Sequence, residues 1–296
     1  MIRAELFSRT GLALLAFALC ARFGASGVSP YEKSVEDWRQ KYEAKLRADD
    51  GWLTVSGLFW LHEGKNTFGS AAGNDVVLPS PVPAAAGYFE LHGGKTTVHV
   101  NPGVAITMAG QPVETAELRP DSKVDRLVIG DLTFFVHASG PRFGIRLKDK
   151  NSKLRKEFTG LRWFPIDARY HVIARFTPYA SPRSVEIETI LGDREKTELA
   201  GYVTFQLGGK EFRLDAEKQD DPEGLFIVFR DLTSRKDTYQ AARFLDTDLP
   251  KDGTVEIDFN KAYNPPCAYN PYSTCPLPSP GNRMQIEIPA GEKRYH

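Results

Sequence analysis

The chain has 296 residues, 38 basic against 38 acidic side chains, and 41% hydrophobic residues. That length holds one large domain or two small ones with a sizeable core. Balanced charge argues against nucleic acid or an anionic membrane surface as partner, because both call for a basic face.

The chain opens on a leader-like stretch. Arg3 and Arg9 precede an apolar run at 12–20, and small residues follow at 24–27. A basic start, a short apolar core and small residues form a signal-peptide pattern, and the run is too short for a permanent anchor. Residues 1–26 are expected to be removed on export, leaving a periplasmic or secreted protein with no integral membrane segment. Lipoprotein processing at Cys20 fits less well, because Leu19 stands where such signals carry a small residue. A helix follows within 27–51. Ser34 with Asp37 is close to a capping box, and Val35, Trp38, Tyr42 and Leu46 form one stripe. The spacing predicts an end near Gly51 and packing on the first sheet.

Nearly everything after that reads as short strand and turn. Runs at 87–92 and 95–100 flank Gly93 and Gly94. Runs at 126–129 and 132–136 flank Gly130 and Asp131, and runs at 201–207 and 210–214 flank Gly208 and Gly209. Two-residue turns of this chemistry signal hairpins. Further strands are predicted at 224–229 and 254–259. Strands at intervals of about ten residues, with no βαβ rhythm, predict a mainly β fold. A β-sandwich lobe is expected over 52–149. A charged joint at 148–157 leads to a second antiparallel β-sandwich or barrel-like lobe over 150–296.

The second lobe carries the most unusual segment. Residues 258–282 hold six prolines, four asparagines, three tyrosines and two cysteines. No helix or central strand tolerates so many prolines, so the segment is a long ordered loop, and such loops are disproportionately functional. Once the leader is gone, Cys267 and Cys275 are the remaining cysteines. In an oxidising compartment they are expected to pair as a disulfide. Two thiolates are half of a tetrahedral set, and the histidines show no ligand spacing, so neither metal nor cofactor is expected.

Motifs at 51–61, 64–69, 74–79, 142–149, 163–165, 229–233, 238–239 and 243–245, together with the loop at 258–282, resemble the DUF1684 family. The resemblance implies a bacterial β-rich protein, often exported, and implies no reaction. Within the first lobe, residues 67–79, the hairpin after them and 106–113 resemble a forkhead-associated (FHA) sandwich. Ser70 follows Gly69, and Ala84, Ala85 and Ala86 stand where that family carries Ser and His. The phosphothreonine-reading residues are therefore missing.

No nucleophile elbow or phosphate loop occurs. Arg142 and Arg146 fall on one face of a strand, and with Arg243 they suit recognition of an anion. Asn260 and Asn264 offer donors and acceptors, and Tyr263 an aromatic wall. These six are expected to line a pocket between the lobes for a small polar or anionic ligand, or an envelope component. Two other classes stay open. One is a hydrolase with Asp231, Asp258 or Glu292 as general acid or base and the arginines as a clamp. The other is a structural envelope protein without a pocket. Oligomeric state is not legible.

Overall fold

The computed structural model describes residues 29–220 and 223–295. The leader expected over 1–26, with Cys20, lies outside the described residues. Among the described residues no helix is long and apolar enough to cross a membrane.

The N-terminal helix runs Pro30–Arg47, starting earlier than Ser34. Ser29 is the N-cap. Its Oγ accepts from the Glu32 N–H at 3.1 Å, and Glu32 Oε2 accepts from the Ser29 N–H at 2.7 Å. Pro30 opens the helix where its missing N–H costs nothing. Ser34 lies inside the first turns and donates back to the Tyr31 carbonyl at 2.7 Å. The stripe is where its period puts it, but it does not cover the first sheet. Trp38 meets Trp163 and Tyr263, and Tyr42 meets Tyr263. Leu46 joins Leu53, Phe158 and Tyr269. Trp and Tyr on the helix thus cover rings from the Pro-rich loop, and such ring pairs add stabilisation beyond buried area.

Residues 55–149 form two sheets. One orders the strands Val55–Trp60, Arg142–Asp149, Leu132–Ser139, Leu127–Ile129, Thr107–Met108 and Gln111–Pro112. The other orders Val76–Val77, Gly64–Gly69, Gly87–His92, Lys95–Val100 and Thr115–Leu118. Alternating inward residues of both meet in one core around Phe68, Phe89, Val98, Phe134, Val136 and Ile145. The Gly93-Gly94 turn closes its hairpin with both glycines at positive φ, 56° and 82°, where a side chain would be strained.

The third sheet is antiparallel and curls into a half-barrel. Its order is Arg243–Thr247, Glu223–Phe229, Lys210–Asp220, Arg194–Leu207, His171–Glu188 and Thr254–Asp258. Val203, Phe205, Leu214, Phe229, Leu245 and Phe259 fill it. Two of its strands are far longer than the sequence suggests. His171–Glu188 and Arg194–Leu207 run past the sheet as a two-stranded arm. Its pairing shifts register between Pro178 and Arg183, where the arm bends. At the tip, Ser139 Oγ of the sandwich lies 2.9 Å from Asp193 Oδ2 and 2.8 Å from Glu195 Oε1, so its one proton is shared between the two carboxylates. The Pro-rich loop runs beside the arm. Ile190 N–H donates to the Cys275 carbonyl at 2.9 Å, and Leu277 N–H to that of Glu188 at 2.8 Å.

Candidate functional site

The residues expected to line one pocket fall into three sets, and each set has partners within the protein. In the first, Arg243 is fully buried. Its Nη1 donates to Asp231 Oδ2 at 2.7 Å and to the Ile288 carbonyl at 3.1 Å, and its Nη2 donates to the Ala290 carbonyl. Glu292 sits beside it, also fully buried. The Glu292 carboxylate accepts from Asn264 N–H at 2.8 Å, Asn264 Nδ2 at 2.7 Å and Tyr269 OH at 2.7 Å. Burial pushes its carboxyl up to about 7, against the lowering effect of these donors. Tyr263 stands nearby under the helix, donating to Asp246 Oδ2 at 2.9 Å.

The second set surrounds Asn260, which is fully buried. Its Nδ2 donates to Tyr31 OH and the Asp167 carbonyl, both at 2.9 Å, and its Oδ1 accepts from Asp167 N–H at 3.0 Å. Asp258 accepts from Tyr31 OH at 2.9 Å and pairs with Lys261 at 3.4 Å. These groups fasten the helix N-terminus to the half-barrel.

The third set joins the lobes. Arg142 pairs with Asp193 of the arm tip and lies 3.8 Å from the Trp60 ring centroid. Arg146 is buried and donates to Thr274 Oγ1 at 3.3 Å. His137 stands between Asp121 and Thr274. Its Nδ1 is 2.7 Å from Asp121 Oδ1 and its Nε2 is 2.8 Å from Thr274 Oγ1. Burial alone would raise the Asp121 carboxyl, but the hydrogen bond and charge of His137 hold it below its usual range. Of the candidate acids, Asp231 and Glu292 flank Arg243 and Asp258 lies with Asn260, while at the joint of the lobes a carboxylate, an imidazole and a hydroxyl meet.

A cavity lies elsewhere. Its volume is about 430 Å³, and it sits between the arm, the strand Lys210–Asp220 and the end of the Pro-rich loop. Val185, Ile187, Leu199, Val228 and Leu277 give it apolar walls, and Arg183, Asp215, Glu217, Ser279, Asn282 and Arg283 give it polar groups. Asp215 and Glu217, two residues apart on one strand, share a face. Burial raises the Glu217 carboxyl, and the Thr197 hydroxyl, its single hydrogen-bond donor among the described residues, offsets this at 2.6 Å. Asp215 accepts from Tyr179 OH and Arg213 Nη2, both at 3.1 Å. Asn282 clamps the loop to the sheet: its Oδ1 accepts from Asp215 N–H at 2.8 Å, and its Nδ2 donates to the carbonyls of Asp215 and Val228 at 2.9 and 2.8 Å. No single motif marks this cavity, because its walls come from four separate stretches. The one legible signal is the alternation of Val185 and Ile187 with charged residues. Among the described residues no group of His, Cys, Asp and Glu could hold a metal ion.

The Pro-rich loop, the half-barrel and the Glu292 cluster all lie in the part of the chain that matches a known family. Residues 156–293 match DUF1684, described as a protein of unknown function. The chain belongs to the DUF1684 family. The match takes in both walls of the cavity and leaves the sandwich outside it. No curated protein matches the chain. Among solved structures, it is similar to the solution NMR structure of an uncharacterized protein of Haloarcula marismortui. The two are 33% identical over 47% of this chain and 78% of that one, with a TM-score of 0.40. Cys267 and Cys275, in the DUF1684 loop, are thiols here, with Cys267 N–H donating to Cys275 Sγ at 3.3 Å.

Proposed function

We propose that this DUF1684 protein is an exported binding protein and that the cavity under the arm holds a small polar ligand. One observation carries the reading: a concave space of about 430 Å³ whose walls are apolar and polar in about equal parts, with Glu217 and Arg283 among the polar groups that line it. Ligand sites characteristically combine apolar walls with a few placed polar groups. The basic and apolar leader pattern supports export. In an oxidising compartment the neighbouring thiols of Cys267 and Cys275 then bond and stiffen the loop that forms one wall. Thiol titration of protein from the host periplasm checks this, with no free thiol expected. For the cavity, native mass spectrometry of the chain purified from its host should show a small-molecule adduct. Ile187→Trp, which fills the space, should lose that adduct with the fold intact. A bare wild-type chain, or an adduct that survives Ile187→Trp, contradicts the reading.

A second reading, hydrolysis, is favoured by the line Asp121–His137–Thr274. With Nδ1–H donating to Asp121, His137 Nε2 accepts the Thr274 hydroxyl proton, the arrangement that activates a hydroxyl nucleophile. Turnover of a nitrophenyl ester that disappears in both Thr274→Val and His137→Ala supports it. Absence of turnover leaves these residues as the tie between lobes.

A further inference from the structure

A smaller cavity of about 290 Å³ opens beside the first, where the segment after Glu223–Phe229 meets the end of the Pro-rich loop. Arg230, Ser234, Arg235 and Arg283 line it. Arg230 and Arg283 are held opposite each other by a backbone bridge: Arg230 N–H donates to the Asn282 carbonyl at 3.0 Å, and Met284 N–H to that of Arg230 at 2.7 Å. Arg235 sits in the turn between Ser234 and Thr238 with φ 76°, the left-handed region, which fixes where its side chain departs.

The charge in this space is unbalanced. Among the described residues, no carboxylate pairs with Arg230, Arg235 or Arg283, and Arg283 has only a bond from Nε to the Pro278 carbonyl at 3.3 Å. Asp231 also lines the cavity, but its carboxylate is taken by Arg243 at 2.7 Å and by the hydroxyl and N–H of Thr233 at 2.6 and 2.7 Å. Next to the site, Lys236 is matched by Glu287 at 2.9 Å. A second observation points the same way. Ser234 Oγ is buried and has no hydrogen-bond partner, although it lines this cavity. A buried hydroxyl left unpaired is costly, and three like charges held together repel, so both are relieved by an anion that accepts from all four groups.

We infer that this cavity binds a phosphate group, free or as the monoester of a small molecule. Guanidinium groups match the oxygens of phosphate, and a tetrahedral dianion offers acceptors in the several directions from which these donors come. Arg283 also lines the larger cavity, so the organic part of a monoester has a place to lie. The extension across Arg283 rests on the ligand-binding reading above; the phosphate site itself does not.

The test is calorimetric titration of the full chain with inorganic phosphate at low salt. One saturable site is expected. Arg230→Gln should weaken it at least tenfold, the exposed Arg235→Gln several-fold and Ser234→Ala about threefold, with the urea midpoints of Arg235→Gln and Ser234→Ala unchanged. Acetate should bind far more weakly, and Ile187→Trp should leave phosphate binding intact. The inference is overturned if phosphate shows no saturable binding, if Arg230→Gln and Arg235→Gln bind it as the wild type does, or if acetate binds as well. An adduct that Ile187→Trp removes, in a chain that never binds phosphate, would sink the phosphate site alone and leave the larger cavity standing. Glycerol phosphate binding tighter than inorganic phosphate, with the excess lost in Ile187→Trp, supports the monoester and its path across Arg283.

Discussion

Glu292 and Glu217 are both raised by burial, yet they occupy opposite settings. Glu292 is sealed beneath the N-terminal helix and receives three donors, two from Asn264 and one from Tyr269. Glu217 faces a cavity and receives one, from Thr197. The first is a closed account of hydrogen bonds, which holds loops in place. The second keeps acceptor capacity unused, which is what a site for another molecule requires. Perturbed titration alone therefore does not separate a fold-holding acid from a ligand-facing one; the count of partners does.

The closed region should be the one that breaks the fold. Removing one member of a buried ion pair strands the other charge. Arg243→Met leaves Asp231 buried and unpaired, and should cost about 3–5 kcal/mol in urea unfolding. A smaller effect follows from pH. The folded Glu292 carboxyl titrates at about 7, above its ordinary value of 4.5. Between those values the folded state binds the extra proton, so its contribution is full below about 4.5 and is lost as pH rises through 7. Stability should fall over that window by on the order of 3 kcal/mol for this group. Glu217 acts in the same direction, and Glu292→Gln should flatten most of the slope. Smaller still, Ser29→Ala removes the N-cap of the helix that seals the closed region. It should cost about 1 kcal/mol, read as a lower urea midpoint, with ligand binding in the cavity unchanged.

The turns and the Pro-rich loop were legible because their chemistry is local. Gly93-Gly94 and Gly208-Gly209 demand positive φ, and six prolines exclude regular structure, whatever surrounds them. The helix start was misplaced because Ser34 with Asp37 satisfies the same spacing as Ser29 with Glu32, and Pro30 was the cue that separates them. The arm stayed hidden because Pro178 and Pro182 interrupt it and its outer half faces solvent, so no apolar run marks it. The site residues were chosen as the types that recognise ligands. Arg243, Asn260 and Asn264 are of those types, but each is buried, with the Nη groups of Arg243 and the side-chain amides of both asparagines engaged inside the protein, and burial of a particular polar residue depends on long-range packing. The cavity was missed for the complementary reason: its walls meet only after the arm bends.

One pair of hydroxyl deletions compares the two regions with the same chemistry. Tyr269→Phe removes a donor from Glu292, and Thr197→Val removes the donor from Glu217. Urea-unfolding midpoints of both variants against wild type are the measurement. Tyr269→Phe should lose about 2 kcal/mol, the range for a bond to a buried charged group. Thr197→Val should stay within about 0.5 kcal/mol, because water in the cavity replaces the donor. Equal losses in the two variants would contradict the distinction between a closed cluster that holds the fold and an open one that awaits a ligand.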